Sequence, residues 1–242
     1  RDVERSRGLG DVYKRQKKFL ALGMTCCLFM VTPVQSIAAP LETQTDLLVQ
    51  DQNSFRDLMD IIILEKEQFP TLGEDELLEH LDIKLNNRVF NNRGITDIWN
   101  ALTDSEKKLV IRYPFDALKV NTAKNIATNQ TEIKFGRNGL GDKSDAFRHG
   151  IWNAEMTVLI GIEKAELFAT AHEDKDISGN EADGFSKTAH KEMDLHNNEI
   201  GRQIGQKNEN LNESEMSDLI YQEINKAVSY THLRAHETSL HL

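Results

Sequence analysis

The chain has two cysteines in 242 residues, Cys26 and Cys27, and both fall in an apolar stretch near its start. Beyond residue 38 there are none. That excludes disulfides and thiolate chemistry from the remainder, which must rely on an ordinary hydrophobic core. Strand-type alternation of apolar and polar residues is missing, as are internal repeats and low-complexity tracts. Helical spacing recurs instead, so we expect an all-α fold, a helical bundle of about six to eight helices. A basic surplus is absent too. Residues 39–228 carry 21 Lys and Arg against 35 Asp and Glu, a net charge near −14. This balance argues against non-specific nucleic-acid binding and against adhesion to bare anionic membrane. It suits solubility and divalent cations.

The two ends, RDVERSRGLGDVYKRQ and VSYTHLRAHETSLHL, resemble translated adapter read-through. Residues 1–16 and 229–242 are therefore set aside from fold reasoning, and His232, His236 and His241 with them. Next to the first end stands KKFLALGMTCCLFMVTPVQSIAAP. Lys17 and Lys18 supply a basic start, and Phe19 to Val34 is an apolar core too short to span a bilayer comfortably. Ser36-Ile37-Ala38 gives the small residues that a signal peptidase needs. Residues 17–38 thus read as a signal peptide cleaved after Ala38, which leaves no transmembrane segment. The expected location is a bacterial periplasm or the cell exterior.

Residues 41–92 read as a helical N-terminal arm. Leu47 to Phe69 forms one helix, stopped by Pro70, and Glu74 to Leu85 a second. The arm shows no chemistry, its expected role is packing or linkage, and His80 is expected in solvent. Asn-rich turns at 86–87 and 91–94 mark its end. Residues 93–228 form the main all-α domain. Thr103 and Glu106 make a capping box for a helix to Tyr113, and Pro114 starts another through Ile126. Thr131 to Asp142 reads as a loop. Further helices are expected at 143–159, 162–173, 186–205 and 214–227, with an acidic surface loop from Asp174 to Gly184.

The helix within GDKSDAFRHGIWNAEM has unusual contents. Asp145, His149 and Asn153 are four apart and share one stripe. Trp152, Met156 and Leu159 lie beside that stripe, and Phe147, Ile151, Ala154 and Val158 lie opposite. Two apolar arcs imply packing on both sides and burial of the polar row, whose members then need partners or a metal. The helix Lys187 to Gly205 repeats the device with His190, Asp194 and Asn198, and Gly201 and Gly205 continue its stripe. Two glycines inside a helix cost about 1 kcal/mol each relative to Ala, which points to a close approach of another backbone or group. A third element ends in Ala171-His172-Glu173.

Imidazole with carboxylate is a ligand set for zinc and related divalent metals. His149, His172 and Asp194 are the candidate ligands. The metal-free use makes His149 a general base oriented by Asp145 or Asp194. Arg148 and Arg202 are candidates for stabilising negative charge. Asn153, Trp152, Asn197, Asn198 and Glu173 are candidate binding or orienting groups. His190 and His196 are weaker members, read as surface or packing.

The three blocks GDKSDAFRHGIWNAEM, FATAHE and MDLHNNEIGRQIG resemble an uncharacterised bacterial domain family of unknown function, with the pattern (G/S)DAFRHAxWNA…AHE…MDLxNNxxGR. The match covers about residues 100–206, and Gly150 stands where the family usually has Ala. The resemblance implies Asp145, Arg148, His149, Trp152, Asn153, His172, Glu173, Asp194, Asn197, Asn198 and Arg202 as signature positions. Similar domains occur in exported and wall-associated chains. Two readings follow. One is an exported hydrolase acting on a small-molecule or envelope substrate, a phosphoester or lipid-like compound. The other is a non-catalytic envelope module with a buried polar network.

Overall fold

The computed structural model describes residues 44–87, 92–182 and 184–239, with side chains from 53 to 226 within those spans. The signal peptide expected at 17–38 and the segment 1–16 lie outside the described residues. Residues 42–224 form one compact unit.

Among the described residues there are nine helices and no strand-built sheet: α1 (Gln44–Gln68), α2 (Glu74–Asn86), α3 (Arg93–Ala101), α4 (Asp104–Arg112), α5 (Pro114–Phe135), α6 (Lys143–Ile160), α7 (Ile162–His172), α8 (Lys187–Lys207) and α9 (Glu213–Ser239). The fold is all-α, with one helix beyond the expected range. The extra element is α3. It is short, and the Asn-rich stretch before it reads as a boundary. That stretch is in fact a cap: the Asn92 side chain accepts from Ile95 N at 3.3 Å, and Ile95 and Trp99 turn inward. A second correction concerns α5, which continues through Thr131 to Phe135. Gln130 and Thr131 are buried, and Thr131 Oγ1 donates to Ala127 O at 2.7 Å. The helix stops where Gly136 adopts a left-handed φ of 66°.

Local signals place the site helices. The Thr103 hydroxyl accepts from Glu106 N at 3.0 Å, and Glu106 Oε2 accepts from Thr103 N at 2.8 Å. The same hydroxyl donates to Ala171 O at 2.7 Å and so ties the start of α4 to the end of α7. Asp142 caps α6 by accepting from Ser144 N and Asp145 N. Ser186 caps α8.

Helix α6 lies between two cores. Met156, with Trp152 and Leu159 at its edge, joins Leu58, Leu81, Trp99 and Phe168 in one of them. Phe147, Ile151 and Ala154 join Met216, Ile220 and Ile224 in the other. These are the two arcs read from the helix wheel. The first core draws on α1 and α2 together with α3 to α7, so the 41–92 stretch shares its apolar interior with the following helices. His80 is not a free surface residue: it is half-buried, and its Nε2 pairs with Glu65 Oε2 at 2.6 Å.

The α8 glycines are explained by α6. A Cβ at Gly201 would fall 2.1 Å from Gly150 O, and one at Gly205 would fall 2.5 Å from Ala154 O. The two backbones touch there. This contact holds the polar rows of α6 and α8 face to face.

Candidate functional site

Three helices deliver the polar residues: α6 gives Asp145, His149 and Asn153, α8 gives Asp194, Asn198 and Arg202, and α7 gives His172 at its end and Glu173 at its C-cap. Asp145, Asn153 and Asn198 are at most 1 % exposed, and His149 is 8 % exposed. His149 sits at the centre. Its Nε2 lies 3.7 Å from Asp145 Oδ1 and 3.6 Å from Asp194 Oδ1. Its Nδ1 lies 3.2 Å from Asn198 Oδ1 and 3.6 Å from Glu173 Oε1.

The tautomer of His149 follows from a chain of hydrogen bonds that begins at Arg202. A guanidinium can only donate. Arg202 Nη1 donates to Asn153 Oδ1 at 3.1 Å, which fixes the Asn153 amide with its NH2 toward Asn198 Oδ1 at 2.7 Å. Asn198 Oδ1 is therefore an acceptor, and its NH2 group faces Glu173 Oε1 at 3.5 Å. Opposite an acceptor, Nδ1 of His149 carries the proton. In the neutral ring, Nε2 is then a lone pair aimed at two carboxylate oxygens.

That arrangement is unfavourable as it stands. Burial pushes the imidazole down to about 4, so it is neutral near pH 7 and offers the carboxylates no charge. Burial, and then the charges of Asp145 and Glu173, push Asp194 up to about 8. Oδ1 of Asp194 is buried and accepts no hydrogen bond. Arg148 offsets part of the negative charge: it pairs with Asp145 and donates to Gly139 O at 3.0 Å. Asp145 also accepts from Gly141 N at 2.7 Å. One guanidinium thus faces three carboxyl groups, of which Asp194, pushed up to about 8, keeps its proton near pH 7 when no cation is bound.

Two species can relieve such a cluster, a shared proton or a cation. Separations of 3.6 and 3.7 Å are too long for a hydrogen bond. They match the spacing between neighbouring ligands of a tetrahedral ion, ~3.4 Å for bonds of ~2.1 Å. Asp145, His149 and Asp194 each offer one ligand atom, all within 4.8 Å of one another. It is the one such group found among the described residues.

The remaining expected positions fall nearby but in other roles. His172 is not in this group. Its Nδ1 pairs with Glu106 Oε1 at 2.8 Å, its Nε2 lies 3.1 Å from Lys175 Nζ, and its ring packs against Trp152 with centroids 5.1 Å apart. Burial would raise the Glu106 carboxyl, but the hydrogen bond and charge of His172 outweigh it and hold it below the ordinary range. Arg202 is buried and engaged by Asn153 and Glu199, so it orients the amides behind His149. The Asn197 side chain is buried, and its Nδ2 has no hydrogen-bond partner. His190 is buried on the first turn of α8, and His196 is exposed.

Beside His149 opens a cleft of about 560 Å³. Arg148, His149, Trp152 and His172 line it together with Phe55, Ile98, Val120 and Phe168. Glu106 and these apolar wall residues are the site members that sequence reasoning missed. Glu106 had a complete explanation as a capping residue, and the wall residues look like any core-facing side chain.

The fold and the site define an all-α domain with a buried histidine–carboxylate group at a cleft. The chain belongs to the family described as Domain of unknown function (DUF6973), whose model matches residues 107–228, half of the chain. Comparison with curated proteins and with solved structures finds no match.

Proposed function

We propose that this domain is an exported bacterial hydrolase in which Asp145, His149 and Asp194 hold a divalent cation beside the cleft. The observation that carries the reading is the lone pair of His149 Nε2 facing two carboxylate oxygens at 3.6 and 3.7 Å. A cation there would polarise a phosphoryl or carbonyl oxygen and lower the pKa of a bound water. The protein's own groups supply the rest. Asn198 and Glu173 hold the Nδ1 edge, a partnership that keeps a metal-binding imidazole oriented and basic. Arg148 stands at the cleft next to His149, where it opposes negative charge built up on a reacting phosphoester or ester. The acidic surface of the chain suits a periplasmic or external setting and a small-molecule or envelope substrate.

The test is turnover of bis(p-nitrophenyl) phosphate and of p-nitrophenyl esters by the purified protein. Activity is expected to vanish on chelation, to return with a divalent cation, and to fall at least about 100-fold in Asp194→Asn. No turnover of any of these by cation-loaded protein would remove the hydrolase reading.

A second reading draws on the near-total burial of Asp145, Asn153 and Asn198 and on the hydrogen bond between the two asparagines. Here the network locks α6 and α8 in register within a non-catalytic envelope module. His149→Ala then costs about 1–3 kcal/mol of stability and no chemistry is lost.

A further inference from the structure

The cleft has a definite chemical character. Its volume of about 560 Å³ falls within the range of small-molecule sites. Phe55 of α1, Ile98 of α3, Val120 of α5 and Phe168 of α7 form an apolar wall, and Trp152 of α6 adds an aromatic face. Several of the polar groups on it are already engaged inside the protein. Trp152 Nε1 donates to Val120 O at 3.4 Å. His172 is held between Glu106 and Lys175, and Arg148 by Asp145 and Gly139. Asp97 and Lys124, of opposite sign, are exposed. Asn121 and Thr128 add two half-buried polar groups, but apolar side chains supply most of the lining. Removal of hydrocarbon from water is what the cleft has to offer.

Size narrows the occupant. At ~30 Å³ per heavy atom, the share of a water molecule in the liquid, the cleft takes on the order of 15–20 heavy atoms. That matches one chain with a small head group. Arg148 and His149 are the lining groups next to the carboxylate cluster, and a head placed there meets both. We infer that the cleft binds one linear hydrocarbon chain, carried by an ester or phosphoester whose head lies at the Arg148–His149 end. The placement of the head rests on the hydrolase reading; the binding of the chain does not. Phe55 and Ile98 precede the residues matched by the family model. The N-terminal helices thus contribute to binding as well as to packing.

The experiment is calorimetric titration of the full chain with n-alkyl phosphates of increasing length, each below its micelle-forming concentration. Inorganic phosphate and butyl phosphate are the controls. Affinity is expected to rise about fourfold per methylene until the cleft fills, and then to level off. Ile98 and Val120 are only half-buried, so Ile98→Trp and Val120→Trp fill space without opening the core. Each is expected to weaken dodecyl phosphate at least about tenfold. Affinity independent of chain length overturns the inference, and so does undiminished binding in the folded Trp variants. If one variant does not fold, the other and the wild-type series decide. A protein that binds the series but holds no cation and turns nothing over keeps the inference and loses the hydrolase reading.

Discussion

The tautomer of His149 is set by a relay that begins at Arg202, bonded to Asn153 rather than to the imidazole. Arg202 fixes Asn153, Asn153 fixes Asn198, and Asn198 fixes which ring nitrogen is free. Asn198→Ala should therefore lower the affinity for a divalent cation about 10–100-fold, measured by competition with a chelating dye. Unchanged affinity would show that the relay has no part in setting the imidazole. Glu155 makes a separate case. It is buried on α6, and burial, with the charge of Glu213 second, pushes its carboxyl up to about 7. A carboxyl with a raised folded pKa keeps its proton in the native state after the unfolded chain has lost it. Stability from this group is full below the unfolded value near 4.5 and is lost as pH rises through about 7. Glu155→Gln should thus gain about 1–2 kcal/mol relative to wild type between pH 5 and pH 8, read from denaturant unfolding at both pH values. A gap that does not widen with pH contradicts the assignment.

At the scale of elements, the α6–α8 contact sets the site. Ala is the better helix former by about 1 kcal/mol, yet Gly201→Ala would drive a methyl into Gly150 O and push the helices apart. The net effect should be a loss of at least about 2 kcal/mol, a melting temperature lower by about 4–8 °C, and weaker cation binding. Gly150→Ala crowds Ile220 Cγ2 at 3.1 Å, a side chain able to shift, with Asn197 O and Ile224 Cδ1 in ordinary contact at 3.9 Å, and should change stability by less than about 1 kcal/mol. Equal effects of the two substitutions would show that the backbone contact does not position the site. Much at this scale was legible in the sequence. The two apolar arcs of α6 announced its central place, and the paired glycines of α8 announced a close neighbour. Helix α3 was not legible, because an asparagine cap and a chain boundary share one composition. The last turns of α5 were hidden because Thr131 and Gln130 are polar residues that the tertiary structure buries.

At the scale of the molecule, sequence spacing located the rows but not their meeting. Asp145 and His149 are one turn apart on α6, whereas Asp194 reaches them from α8, and only the fold sets that distance. His172 shows the converse. Its block looked like a ligand, but the fold turns its ring toward Glu106 of α4, 66 residues away. No helix among the described residues is long and apolar enough to cross a membrane. The most direct measurement is metal content by mass spectrometry after dialysis against a mixture of divalent cations, on wild type, Asp194→Asn and His149→Ala. The account predicts about one cation per wild-type chain and nearly none in either folded variant. Wild-type protein that comes out of dialysis without a cation, or variants that retain it, would contradict the account.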